Sequence, residues 1–197
     1  MLASRRMVKG DVFTCPATGM SIRKPPDWEW IPGTWMRPES EPLTSASEEP
    51  EAVLDAGQIP IACLTRPHGS ASHMDPTVQL FRRLMFGAGD LGQLAEALRV
   101  TLPQVFHRCR FLELTTDAIL AGHRALRYEI DYTLVVEPEV EFRCRCLAHV
   151  VLHGAHALTL TIATTTAKRY RFDEDLGAIL GSVTFGAGRR AIGPCMR

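Results

Sequence analysis

Residues 124–165 read RALRYEIDYTLVVEPEVEFRCRCLAHVVLHGAHALTLTIATT, and a period of two runs through them. Leu126, Tyr128, Ile130, Tyr132 and Leu134 alternate with Ala125, Arg127, Glu129, Asp131 and Thr133. Apolar side chains at every second position set one face of a strand against a core. Glu137-Pro138-Glu139 supplies a turn, and Val140, Phe142, Cys144, Cys146, Ala148, Val150 and Leu152 form the next apolar row. They alternate with Glu141, Arg143, Arg145, Leu147, His149 and Val151, so this strand carries apolar residues on both faces. His153-Gly154-Ala155-His156 reads as a two-residue hairpin loop with glycine first, the type II′ pattern. In the strand that follows, Leu158, Leu160 and Ile162 take one face and Thr159, Thr161 and Ala163 the other. Long strands joined by such short turns run antiparallel, because a parallel pair needs a crossover connection.

Outward from this block the period changes to that of a helix. Leu91, Leu94, Ala95, Leu98 and Leu102 share one helical face, Asp90 is placed to cap it, and Pro103 closes or kinks it. Phe172, Leu176, Ile179, Leu180 and Val183 repeat the pattern near the end of the chain. Three long antiparallel strands between two amphipathic helices predict an α+β domain, an antiparallel sheet with flanking helices. Shorter strand signals lie at 59–64 and 77–81, and an N-terminal unit at 12–30 turns at Thr18-Gly19 and stops at Pro25-Pro26. Trp28, Trp30 and Ile31 fold back there as apolar cover.

Residues 33–58 have a different character. Glu39, Glu41, Glu48, Glu49, Glu51 and Asp55 stand against the single base Arg37, and three prolines interrupt the stretch. Too little apolar surface is available there to offset ordering entropy, so it reads as a mobile acidic insertion in one domain spanning 1–197.

The composition, 46% apolar and 22% charged over 197 residues, is that of an ordinary globular chain. Lysine plus arginine equals aspartate plus glutamate at 22 each, which leaves no overall field to draw nucleic acid or an anionic membrane. No apolar run approaches the roughly eighteen residues of a membrane span, and none follows the basic N-terminus as a signal peptide requires. The expected location is the cytoplasm, where the six cysteines are reduced thiols.

Several phrases resemble the PsbP-like superfamily. Gly19-Met20-Ser21-Ile22-Arg23-Lys24-Pro25-Pro26-Asp27-Trp28 is similar to that group's opening strand, followed by proline and tryptophan. Ala121-Gly122-His123-Arg124-Ala125 resembles the start of its first long strand, and Ala157-Leu158-Thr159-Leu160-Thr161 its penultimate one. Phe172 through Ile179-Leu180-Gly181-Ser182-Val183 resembles its closing helix. Leu64-Thr65-Arg66 after an early strand looks most like the effector-associated chaperones of type VI secretion, although the chain is longer and the acidic insertion departs from that pattern. The resemblance implies an α/β/α sandwich and a non-enzymatic bacterial protein that offers its sheet surface to a partner.

Three motifs invite chemistry. Gly87-Ala88-Gly89-Asp90-Leu91-Gly92 is a literal G-x-G-x-x-G, and Glu113 follows at a usable distance for a dinucleotide site. Against that reading, Arg82 and Arg83 sit where a buried parallel strand is apolar, and Asp90 repels phosphate. Cys144 and Cys146 with His149, His153 and His156 suggest zinc or copper, yet the cysteines fall in the apolar row and His149 on the opposite face. No metal or cofactor is therefore expected. Arg108, Arg110, Arg143, Arg145, Lys168, Arg169 and Arg171 form the densest basic set, read as a solvated face or as a contact for acidic chain.

The favoured reading is a non-catalytic binding module, a cytoplasmic chaperone or adaptor for a secreted effector. Thr133, Leu147, Val151, Thr159 and Thr161 are the expected partner-binding face, docking an apolar segment of the partner protein. The competing expectation is that a helix of the same chain covers that face. The alternatives in function are a nucleotide-dependent enzyme using the Gly87–Gly92 turn and a structural subunit of an assembly. A homodimer stays open.

Overall fold

A computed structural model describes residues 7–31, 60–67, 75–85, 90–137, 140–166 and 173–186. The acidic stretch 33–58, Gly87, Gly89, Pro138, Lys168, Arg169, Arg171 and Phe172 lie outside them. In chain order the elements are β1 (Val8–Lys9), β2 (Val12–Thr14), β3 (Met20–Arg23), β4 (Glu29–Trp30), β5 (Ala62–Thr65) and β6 (Thr77–Leu84). Helix α1 (Leu91–Val105) leads into β7 (His107–Leu120), β8 (His123–Glu137), β9 (Val140–His153) and β10 (His156–Thr165). Helix α2 (Asp173–Gly181) and β11 (Thr184–Phe185) follow. A seven-stranded sheet runs β4-β5-β6-β10-β9-β8-β7, and a four-stranded one β1-β2-β3-β11, with every pair antiparallel.

The expected antiparallel block is present, with one more long strand than the three foreseen. Its turns follow the backbone chemistry. Gly154 takes φ 60° and Ala155 does not go positive, as a type II′ hairpin requires. At the β7–β8 turn, Ala121 (φ 49°) and Gly122 (φ 79°) are both left-handed, the type I′ signature. Asp90 caps α1 by accepting a hydrogen bond from the Gly92 amide at 3.1 Å. Pro103 does not end that helix, which runs on to Val105 with the Phe106 amide bonded to the Leu102 carbonyl at 2.9 Å.

Two cores result, one on each face of the large sheet. On the first face, Leu126, Tyr128, Ile130, Tyr132, Cys144, Cys146, Ala148 and Val150 pack with Ala95 and Leu102 of α1. On the second, Val151, Leu158, Leu160 and Ile162 pack with Phe13, Met20, Ile22 and Trp28, and with Leu176 and Ile179 of α2. The α/β/α expectation therefore holds with an addition: the four-stranded sheet shares the second outer layer with α2.

Polar contacts stitch that outer layer in place. The Gly186 amide donates to the Gly19 carbonyl at 2.9 Å, and a Cβ on Gly19 would lie 3.2 Å from Gly186 Cα. Asp175 in the first turn of α2 accepts from Trp28 Nε1 at 3.1 Å and from Arg66 Nη1 at 2.6 Å. Ser182, the residue after α2, accepts from the Arg23 amide at 2.9 Å. Strand β7 forms one edge of the large sheet, and its pairing to β8 is interrupted between His107 and Arg110, between Phe111 and Glu113, and between Thr115 and Ala118.

Candidate functional site

The hairpin register decides which side chains can act together. With His153 opposite His156, Val151 faces Leu158, Val150 faces Thr159 and Ala148 faces Thr161. Directly opposed residues share a face, so Thr159 and Thr161 stand half-buried on the first face, the side on which α1 packs. Thr133, Leu147 and Val151 stand on the second. The five expected partner-binding residues therefore do not form one surface. A two-residue loop pairs odd positions of β9 with even positions of β10, and this separates the threonines from Leu147 and Val151.

Burial corrects the expectation further. Val151 is 1% exposed and packed inside the second core, and Thr133 is buried at 8%. The small sheet and α2 together cover Val151, so the helix expected over this face shares that role with strands. Leu147 is different: it is half-buried and lines a cleft of about 200 Å³ between α2 and the β8–β10 surface. Ile162, Leu176 and Leu180 supply the apolar wall, Glu129, Arg145 and Asp173 the charged one, and Gly177 and Thr164 complete it. A Cβ built on Gly177 meets nothing within 4 Å, so the glycine keeps the cleft open on the helix side.

Beside the cleft runs an ion-pair ladder across three strands. Arg110 contacts Asp131 at 3.0 Å, and Arg145 binds Asp131 at 2.6 Å and Glu129 at 3.4 Å. Arg127 reaches Glu129 at 3.7 Å and donates to Glu113. Arg108 pairs with Glu141 at 3.3 Å. Of the arginines taken as a solvated face, Arg108, Arg110 and Arg145 thus meet acids of other strands, Asp131 lying opposite both Arg110 and Arg145 in the register. Hydrogen bonding from Arg145 holds the Asp131 carboxyl below its usual range, against the opposing effect of burial. Glu129, whose side chain is only 9% exposed, is the most deeply buried acid of the ladder. Sequence reading missed this network, although a turn at 137–139 already implies the Asp131–Arg145 pairing.

Next to Arg127 in the register, His149 is buried with its Nδ1 lacking a partner. Burial first, and then the Arg127 charge, pull its pKa down to about 4, so it is neutral at pH 7. The thiols move the other way. Burial raises Cys63 to about 11 and Cys146 to about 12, and also raises Cys109 and Cys144. Such thiols are poor nucleophiles at neutral pH.

The glycine-rich turn lacks the frame of a dinucleotide site. Strand β6 before it is antiparallel to both its neighbours, β5 and β10, whereas that site opens a parallel βαβ unit. The Asp90 carboxylate also occupies the start of α1 where phosphate would bind.

No protein-family model and no curated protein matches the sequence. Solved structures do. The crystal structure of LpqN from Mycobacterium tuberculosis, described as involved in cell envelope biogenesis, aligns with TM-score 0.53 at 11% identity, covering 85% of this chain and 83% of that one. The solution structure of cyanobacterial PsbP (CyanoP) from Synechocystis sp. PCC 6803 aligns with TM-score 0.51 at 11% identity, covering 89% of this chain and 91% of that one. The fold is PsbP-like. PA94 from Pseudomonas aeruginosa, a protein of unknown function, gives TM-score 0.47 at 11% identity over 58% of this chain and 75% of that one. At 11% identity the likeness to LpqN and CyanoP is one of fold alone, in line with the PsbP-like resemblance of the sequence. Among the described residues no helix is long and apolar enough to cross a membrane.

Proposed function

We propose that this chain is a non-catalytic binding module whose receptor site is the cleft between α2 and the β8–β10 surface. The observation that carries this reading is Leu147. It is an apolar side chain left half-buried beside Leu176 and Leu180, with the fixed Glu129–Arg145 pair at its rim. Such a site suits a partner residue with an apolar body and a polar end, held on a pre-organised charged frame. In the fuller form of the proposal the occupant is an apolar segment of a secreted effector. The chain then serves in the cytoplasm as the effector's chaperone or adaptor, as the likeness to type VI secretion chaperones suggests.

The test is co-expression with the protein encoded beside this chain, followed by co-purification. Leu147→Asp puts a charge in the apolar wall, and Gly177→Leu fills the cleft from the helix. Both variants should lose the partner while keeping the native melting temperature to within a few degrees. Capture undiminished by both substitutions would sink the cleft as the receptor site. Failure of the neighbouring protein to bind the unaltered chain removes the effector reading.

A further inference from the structure

His123, from a distant stretch of the sequence, lines up with His153 and His156 at one end of the large sheet. Strands β8 and β9 pair with Ala125 opposite Val151, and two residues further along that ladder His123 comes opposite His153. In the next ladder His153 lies opposite His156. The three therefore form one row on the second face, across adjacent strands, where directly opposed Cβ atoms lie about 4.5–5.5 Å apart. The rings of His123 and His153 have their centres 5.4 Å apart at 81°. Phe185 of β11 packs on both, at 4.4 Å and 5.3 Å. Among the described residues no hydrogen bond or ion pair engages either of these two imidazoles.

We propose that His123 and His153 bind a late first-row divalent cation of the zinc, nickel or copper type. Imidazole nitrogen is a ligand these ions favour. Two imidazoles on one tetrahedral ion, each with its nitrogen about 2.0–2.1 Å from the metal, place their ring centres about 5 Å apart. The observed separation already meets that spacing. Phe185 limits the rotation of both rings, so less side-chain freedom is lost when the ion arrives. No three ligand side chains among the described residues converge on one point. The site is accordingly an open, exchangeable one, with water at the ion's remaining positions and His156 next in the row. Cys144 and Cys146 are not part of it. They stand on the other face of β9, and burial pushes both thiols up, away from the thiolate a metal requires.

The test is calorimetric titration of the full chain with Zn2+ at pH 7.5, with Mg2+ as the hard-cation control. One saturable Zn2+ site and none for Mg2+ is expected. His123→Ala and His153→Ala should each weaken Zn2+ binding by at least about tenfold. His123→Phe keeps a ring against Phe185 and should lose the ion just as far, which separates ligation from packing. A Co2+ spectrum free of thiolate charge transfer completes the expected result. No saturable Zn2+ binding, affinity unchanged in all three variants, or thiolate bands with Co2+ would each overturn the assignment. The first outcome would leave the histidine row a packing cluster, and the last would assign the ion to the cysteines.

Discussion

Replacing Arg145 with methionine removes the central cation of the ladder and leaves two acids to settle without it. Breaking a fully buried pair by deleting one partner costs about 3–5 kcal/mol, while an exposed pair is worth about 0–1 kcal/mol. Arg145 lies between these limits, since its side chain is 21% exposed and that of Asp131 20%. Each acid also keeps a second arginine: Asp131 retains Arg110 at 3.0 Å, and Glu129 retains Arg127 at 3.7 Å. Discounting the buried figure for solvent screening and for these remaining partners gives about 2 kcal/mol at pH 7. For a chain of this size that is a fall in Tm of about 4–8 °C. The pH dependence supplies the sharper check. In the native chain Arg145 holds the Asp131 carboxyl below its usual range. Its contribution is therefore fully present above the unfolded aspartate pKa of about 3.9, and is lost as pH falls through the lower folded value. Arg145→Met forfeits that contribution in advance. The gap in unfolding free energy between the two proteins, measured by urea titration, should shrink from pH 7 to pH 3. A gap under about 0.5 kcal/mol at pH 7, or one that stays constant on acidification, would refute the view that the ladder supports this face.

Two further outcomes follow from single side chains. His149 is depressed to about 4 by burial, so the unfolded chain binds a proton that the native one refuses. Stability should be full above about pH 6.5 and fall by a few kcal/mol as pH drops toward 4, and His149→Leu, which also removes the orphan Nδ1, should flatten that slope in urea melts. Gly177→Ala adds a methyl where nothing lies within 4 Å, in the middle of α2, and should stabilise the chain by about 1 kcal/mol in the same assay.

Much of the architecture was legible because long strands announce themselves by alternation and tight turns by glycine. The β9–β10 hairpin, the Asp90 cap and the helix over Leu176 and Ile179 all follow from local chemistry that tertiary packing did not override. The start of β7 at His107 was harder to see, because its three register breaks shift the apolar alternation along the strand. The binding surface was misread for a different reason. Thr159 and Thr161 were assigned to the face of Leu147 from polarity alone, although the parity of the two-residue loop had already placed them opposite Val150 and Ala148. Burial of Val151 needed the small sheet and α2 above it, and long-range docking of that kind leaves no periodic mark on the chain. The pairing of His123 with His153 follows from the same turn at 137–139 that sets Asp131 opposite Arg145, whereas the packing of Phe185 on both rings is a long-range contact with no local signature.

The breaks along β7 bear on how this molecule behaves in a crowd. The outward-facing amides and carbonyls of a fourteen-residue edge strand are a template on which another copy could lay a strand. Here no stretch of that margin stays in step with β8 for more than three consecutive residues, Glu113–Thr115 and Ala118–Leu120 being the longest. An incoming strand finds no straight run to zip onto, so concentrated solutions should stay free of fibrous stacks.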